Sequence, residues 1–400
     1  MYPHLPTLIR ALALTFTPSR FSVRRAVLGV LVLCAAAALV TFNWVFDLVD
    51  LLFFPRAGRT PVEAPVFIIA APRSGTTFLH NLLSLDEERF TYLRLYDTVF
   101  QAVSLRRTLD ALGHLDRLLG QPVVKLSRLV QRRIFKGWDG IHSPGLEQSE
   151  EDESLWVLSF LSPAIWMLFP YPNELSELGF VDRMAEPVRR YATRLIRWQM
   201  GRHMAYGGRG RTLLLKNVLL AGRLDVVTRA FPGARFIYLV RDPIKTVPSS
   251  VSMFTTPWKA HSPELPMNSP EYRMWADLVM DYYDVYERLI TSLPPERCVV
   301  LPYDALVGNP RAAVAQIYER FGFTMSPAFA QVLERETQRA ASYTSRHAYT
   351  LADYGLDATD VYQRLQHVFE RHGLVPPEAQ TPPPTTGTPV VNAAGFERIR

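Results

Sequence analysis

Short, unbroken apolar runs recur along the chain, separated by turn residues. Val66 to Ala71, Leu213 to Leu215 ahead of Lys216-Asn217, Phe236 to Val240 inside Ala234–Pro243, and Cys298 to Leu301 all lack polar alternation. That pattern predicts strands buried on both faces of a parallel sheet. Arg89 to Asp97 predicts a further short strand ending at Tyr96-Asp97. Between the runs the period changes to a helical one: Phe78, Leu79, Leu82 and Leu83 after the first run, Leu224 to Phe231 up to the stop Pro232-Gly233, and Pro310 to Phe321. Ser104 to Phe135 is basic with leucines at helical spacing, predicting helices that cover the sheet or touch lipid. The longest apolar run, Ala26 to Phe46, is interrupted only by Thr41 and Asn43 and follows Arg20, Arg24 and Arg25. It is long enough for one membrane span. Asp47 and Asp50 within Trp44–Phe54 suggest an amphipathic continuation at an interface, so a single span and a monotopic helix both stay open. The flanking arginines favour a cytosolic N-terminus, and the side on which the domain lies stays open.

Composition narrows the class. Four hundred residues, 48% hydrophobic, suffice for one large α/β domain or two small ones. The net charge of +6 suits an anionic ligand or membrane surface. The charges are scattered, without the aromatic-interleaved basic stripe that nucleic-acid binding needs, so no nucleic acid is expected. Cys34 and Cys298 lie in apolar runs and form neither a disulfide framework nor a metal motif. From Pro376 the chain turns to proline and threonine without periodicity, which predicts a disordered tail. The expected division is residues 1–58 as a hydrophobic membrane-associated segment, 59–374 as the catalytic domain, and 375–400 as the tail.

The chemistry starts where the first apolar run breaks, at Pro72-Arg73-Ser74-Gly75-Thr76-Thr77-Phe78. Strand, tight glycine turn and helix start together aim backbone N–H groups and the positive end of a helix dipole at one point, which makes an anion site. The turn is near a Walker A loop, but Thr76 stands where the lysine should be and Ala70 where the first glycine should be. That lysine holds the β- and γ-phosphates of a nucleoside triphosphate, so ATP and GTP are disfavoured. A P-loop kinase or NTPase, or a non-catalytic membrane-anchored nucleotide-binding protein, is the rival reading. Arg73 offers a planar fork of donors to a terminal phosphate or sulfate. A second anion site is expected where the Ala234–Val240 run ends in Arg241-Asp242-Pro243, with Ser249 eight residues beyond Arg241.

These residues resemble the sulfotransferases. Pro72 to Thr77 is similar to their 5′-phosphosulfate loop in the Arg-Ser-Gly-Thr form of the tyrosylprotein enzymes and many bacterial members. Arg241 with Ser249 is similar to their 3′-phosphate motif, and the strand ending in Lys216-Asn217 to their lysine-terminated strand. The resemblance implies an α/β fold, a P-loop-like parallel sheet flanked by helices with an N-terminal hydrophobic membrane-type helix. It implies 3′-phosphoadenosine 5′-phosphosulfate (PAPS) as co-substrate, no metal, and in-line transfer of a sulfuryl group to an acceptor hydroxyl. Arg73 and Lys216 would be catalytic, and Ser74, Gly75, Thr76, Thr77 and Phe78 would bind the donor. Tyr303, in a family-like Tyr-x-x-Leu, would approach the adenine, and Arg346, in the Ser342–Leu351 segment, would close over the 3′-phosphate. For the base the resemblance offers Asp97, which could equally cap the helix that follows, or a carboxylate of Glu150 to Glu153, which could equally be an acidic helix start. The aromatic run Trp156 to Tyr171 is either an apolar acceptor wall or buried core. The acceptor is a hydroxylated small molecule or lipid, with sterol, glycolipid, protein tyrosine and carbohydrate left open.

Overall fold

The computed structural model describes residues 3–122, 125, 152–340 and 350–377. Two N-terminal helices, α1 (Leu5–Thr15) and α2 (Val23–Phe53), precede the sheet. The strands are β1 (Val66–Ala70), β2 (Phe90–Tyr92), β3 (Thr212–Lys216), β4 (Arg235–Val240) and β5 (Cys298–Pro302). All pair in parallel in the order β2-β3-β1-β4-β5. Ile68 stands opposite Lys216, and Ala70 opposite Leu239. The chain leaves β1 between two strands reached by crossovers in opposite directions, and ligands bind above that position in open parallel sheets.

The apolar runs are strands because each side chain meets a core. Phe67, Ile69, Leu213, Leu215, Phe236 and Tyr238 face one cluster, whereas Val66, Ile68, Ala70, Leu214, Ile237 and Leu239 face the other. The second cluster is closed by α3 (Thr76–Ser84), which follows the glycine turn, and by a later helix at Pro310–Phe321. Between β2 and β3 run α4 (Leu95–Val99), α5 (Val103–Leu118), α6 (Glu153–Leu158) and α7 (Glu186–His203). After β3 come α8 (Leu224–Ala230), α9 (Pro243–Thr255) and α10 (Pro270–Ser292), whose buried faces close the first cluster. Leu8 and Ala11 of α1 are part of that same cluster.

One sequence expectation changes, and one of two open alternatives is chosen. The second strand stops at Tyr92 rather than at Tyr96-Asp97, because the Asp97 carboxylate accepts from the Arg94 amide at 2.9 Å and starts α4 as its cap. The aromatic run packs inward: Trp156, Phe160, Trp166 and Phe169 are all buried in the main core.

Two fully buried histidines make the fold acid-sensitive. His80, in α3, is held neutral with its pKa down at about 3, by burial first and then by the charge of Lys216. His203, at the end of α7, is pushed well below the usual histidine range by burial and then by Arg106. Its Nδ1 faces the Arg106 guanidinium at 3.3 Å and so accepts, which leaves Nε2–H to donate to Thr91 at 2.9 Å. Below the unfolded histidine value of about 6.5 the unfolded chain takes up protons that the folded chain refuses, so stability falls as pH falls. The expected loss is roughly 1 kcal/mol per histidine between about pH 7 and pH 5.5. Asp152 and Asp182, whose pKa values burial pushes up to about 6, gain stability over the same range and offset part of that loss. The check is therefore a difference: in denaturant titration His203→Gln should lose roughly 1 kcal/mol less than the parent between about pH 7 and pH 5.5.

Candidate active site

The turn after β1 is set by its backbone. Gly75 has φ 83° and caps α3, and a Cβ there would come within 2.9 Å of the Tyr303 ring. Only glycine both adopts that conformation without strain and lets the ring approach. Arg73 also has a positive φ, 68°, unusual for a residue with a Cβ. Such outliers persist where the surroundings hold them, commonly at ligand sites. Here Arg241 donates from Nη1 to the Arg73 carbonyl at 2.6 Å, and Ser250 donates to the Pro72 carbonyl at 3.1 Å. The α3 N-terminus therefore projects its free N–H groups past Gly75, Thr76 and Thr77 into the space above β1.

The two anion motifs meet. Arg73 Nε donates to Ser249 Oγ at 3.1 Å, so the guanidinium of the first turn touches the hydroxyl of the second motif. The Arg241 guanidinium lies 4.1 Å from the centre of the Tyr303 ring, and its buried Nε–H has no hydrogen-bond partner among the described residues. A buried guanidinium N–H without an acceptor is costly unless an anion completes it. The Arg241 carbonyl accepts from Tyr283 at 2.7 Å, and Tyr283 also meets Thr246 at 2.7 Å. A buried tyrosine on α10 thus fixes the strand end, a support that no local motif signals.

On the other side of β1, Lys216 ends β3 fully buried and donates from Nζ to Thr77 Oγ1 at 3.0 Å. Burying an ammonium costs free energy, and an anion arriving at the same point would offset that cost. Next to it, Asn217 donates to Asp152 at 2.9 Å and to Glu153 at 2.9 Å, and Arg223 pairs with Glu153 at 2.6 Å. Asp152 also accepts from the Trp156 indole at 3.0 Å. Its pKa is pushed up to about 6, by burial and then by the neighbouring Glu153 charge. The acidic helix start predicted from sequence is therefore fastened to the residue after Lys216.

The remaining residues fall as follows. Ser74, Thr76 and Phe78 are buried in or directly behind the turn. Tyr303 opens α11 (Tyr303–Gly308), the helix after β5, and flanks Gly75. Asp97 is buried with its carboxylate 3.5 Å from Arg106 of α5 and its second oxygen on the Arg94 amide at the start of α4. Glu150, Glu151 and Arg346 lie outside the described residues. Tyr283, Ser250, Arg223 and His80 were not foreseen from the sequence. Only Arg223 carried a signal, as a charged residue within the apolar stretch after Asn217.

Residues 65–327 match the model of a family described as the sulfotransferase family. The omega-hydroxy-beta-dihydromenaquinone-9 sulfotransferase Stf3 of Mycobacterium bovis is 25% identical over 354 residues, covering 85% of this chain and 82% of that protein. A protein of the same name from Mycobacterium tuberculosis matches equally. Among solved structures, sulfotransferase STF1 from M. tuberculosis aligns with TM-score 0.65 at 19% identity, covering 91% of each chain. Sulfotransferase STF9 from Mycobacterium avium aligns with TM-score 0.65 at 16% identity, covering 93% of this chain and 97% of that one.

Proposed function

We propose, for a chain that belongs to the sulfotransferase family, that the sulfuryl donor is PAPS and the acceptor is the hydroxyl of a lipid. The observation that carries the donor is the contact of Arg73 with Ser249, which joins the two anion motifs into one cradle. The cradle fits a nucleotide phosphorylated at both ends of its ribose. Gly75 to Thr77 offer backbone N–H groups, Lys216 a charge at one end, and the Arg241 Nε–H an unfilled donor at the other. Tyr303, already stacked against Arg241, would take the adenine side.

Bound there, PAPS supplies an activated sulfuryl group with a phosphate leaving group. Lys216 and the α3 N-terminus would stabilise negative charge growing on the leaving oxygen as the acceptor oxygen closes on sulfur in line. Thr77 would hold the Lys216 ammonium on that oxygen. Arg241 and Ser249 would fix the donor's position through the 3′ end, and Arg73, in contact with Ser249, would act with Lys216 on the phosphosulfate end. The base is assigned to the Glu150–Glu153 segment on position, because Asn217 ties Asp152 and Glu153 beside Lys216, whereas the Asp97 carboxylate caps α4 and lies against Arg106 of α5.

For the acceptor, the relative Stf3 carries the name of a hydroxylated menaquinone. Together with the exposed apolar helix α2, this supports a long-chain hydroxylated lipid. The test is transfer from radiolabelled PAPS, by the full chain in detergent, into hydroxylated isoprenoid and menaquinone lipids. Labelled lipid is expected. Nucleotide binding without transfer to any lipid overturns the acceptor, and preference for ATP over PAPS overturns the donor. Arg241→Ala is expected to weaken 3′,5′-bisphosphoadenosine by roughly 10- to 100-fold, the scale of a charged hydrogen bond, and 5′-AMP by a smaller factor, because it also releases the Arg73 carbonyl of the first turn.

A further inference from the structure

We propose that α2 does not cross a bilayer but lies in the plane of one leaflet, held along its length by the catalytic domain, with an arginine cleft at its foot recruiting anionic phospholipid. The helix has 31 residues, about 46 Å at the usual rise, longer than the roughly 30 Å hydrocarbon layer. One face is less exposed along its length, with Gly29, Asn43 and Asp50 buried. The positions with reduced exposure run from Gly29 through Val32, Ala36, Leu39, Asn43 and Phe46 to Asp50, at alternating intervals of three and four. That spacing is one continuous stripe of a helix.

Polar ties hold both ends to the same domain. Near the N-terminal end, Arg25 bonds Ser262 at 3.2 Å and pairs with Glu264, while Arg20 pairs with Glu174. Near the C-terminal end, Asn43 donates to the Val99 carbonyl at 3.0 Å, and Asp47 and Asp50 both meet Arg202 at 2.6 Å. Asp50 also accepts from the Val103 and Ser104 amides. Arg25 and Asp50 lie roughly 37 Å apart along the axis. A transbilayer helix would put Ser262 and Arg202 on opposite sides of the membrane, which one folded, polar-surfaced domain cannot do.

The opposite face is apolar. Leu31, Trp44, Val45, Leu48, Leu51 and Leu52 are exposed, Leu52 by 77%. The only acidic side chains of the helix, Asp47 and Asp50, turn to the domain. Leu112, Leu115, Leu118 and Leu119, on α5 and its C-terminal end, are exposed as well. Charge then selects the lipid. An open cleft of about 840 Å³ just past the end of α2 is lined by Arg56, Arg59, Arg209, Arg211 and Arg235 against the single acid Glu63. It lies where β3 and β4 begin, the edge of the sheet opposite the site. Apolar ridge plus basic collar is the pattern of a peripheral helix that sinks into an anionic leaflet.

The experiment uses the full chain, because α1 is part of the core. Flotation with phosphatidylcholine vesicles, with and without phosphatidylglycerol, should show binding that depends on the anionic lipid. Arg56→Glu/Arg59→Glu should weaken it by at least ~10-fold, and Leu48→Glu/Leu52→Glu should abolish it. In cells expressing the chain, Ser19→Cys and Pro55→Cys, exposed positions just before and just after α2 and outside its apolar ridge, made in a Cys34→Ser/Cys298→Ser background, should both react with an impermeant maleimide from the same face of the membrane. Labelling from opposite faces overturns the in-plane geometry. Equal binding to neutral vesicles overturns the role of the arginine cleft. Failure to float, with a dimer in solution, assigns the apolar face to a second copy and overturns the proposal.

Discussion

Lys216→Ala is expected to lower kcat by about 10²- to 10³-fold, the cost of removing one preorganised donor from a developing negative charge. The ammonium is fully buried at the end of β3 and rests on Thr77 Oγ1 at 3.0 Å, so it is in place before any ligand arrives. A group that acts on the leaving oxygen matters more in the transition state than in the bound donor. Accordingly kcat and kcat/KM should fall together, while affinity for 3′,5′-bisphosphoadenosine changes by only a few-fold. Lys216→Met keeps the aliphatic volume and should be equally inactive, which separates loss of charge from loss of packing. Steady-state kinetics beside isothermal titration of the bisphosphate checks both. A variant that lost binding and kept kcat would assign Lys216 to donor binding and remove it from the chemical step.

Much of this site was legible in the sequence because its parts are local. The turn, the Lys216 strand end and the Arg241–Ser249 spacing each belong to a strand buried on both faces, and few places in a fold accommodate an apolar run without alternation. Parallel pairing then brings the strand ends together at one edge, and Arg73 reaches Ser249 although they are far apart in the chain. What was not legible is long-range polar pairing. Nothing near Arg241 announces Tyr283, and nothing near Glu153 announces Arg223. Asp97 shows the same limit locally: a carboxylate after a short strand serves as base or cap equally well on pattern, and the Arg94 amide is what makes it a cap here. The α2 helix is the strongest case. Its composition meets the requirement for a span, and only the partners of Asn43, Asp47 and Asp50, found in other helices and loops, lay it against the domain.

Those partners carry the second large effect. Arg202→Met is expected to destabilise the protein by about 3–5 kcal/mol, the range for removing one member of a buried ion pair. Arg202 is almost wholly buried on α7, and its Nη2 reaches Asp47 and Asp50 at 2.6 Å each. Without it Asp50 keeps the amides of Val103 and Ser104, which satisfy its oxygens but do not balance its charge. The sign can be tested by removing the charge instead of restoring the partner: Arg202→Met combined with Asp50→Asn should recover part of the loss, since a neutral amide no longer needs a counter-ion, though it can accept from only one of the Val103 and Ser104 amides. Denaturant unfolding of the single and double variants measures the coupling. A loss in Arg202→Met that the second substitution leaves untouched would mean that Arg202 acts by packing against Trp198 rather than by holding the carboxylates of α2.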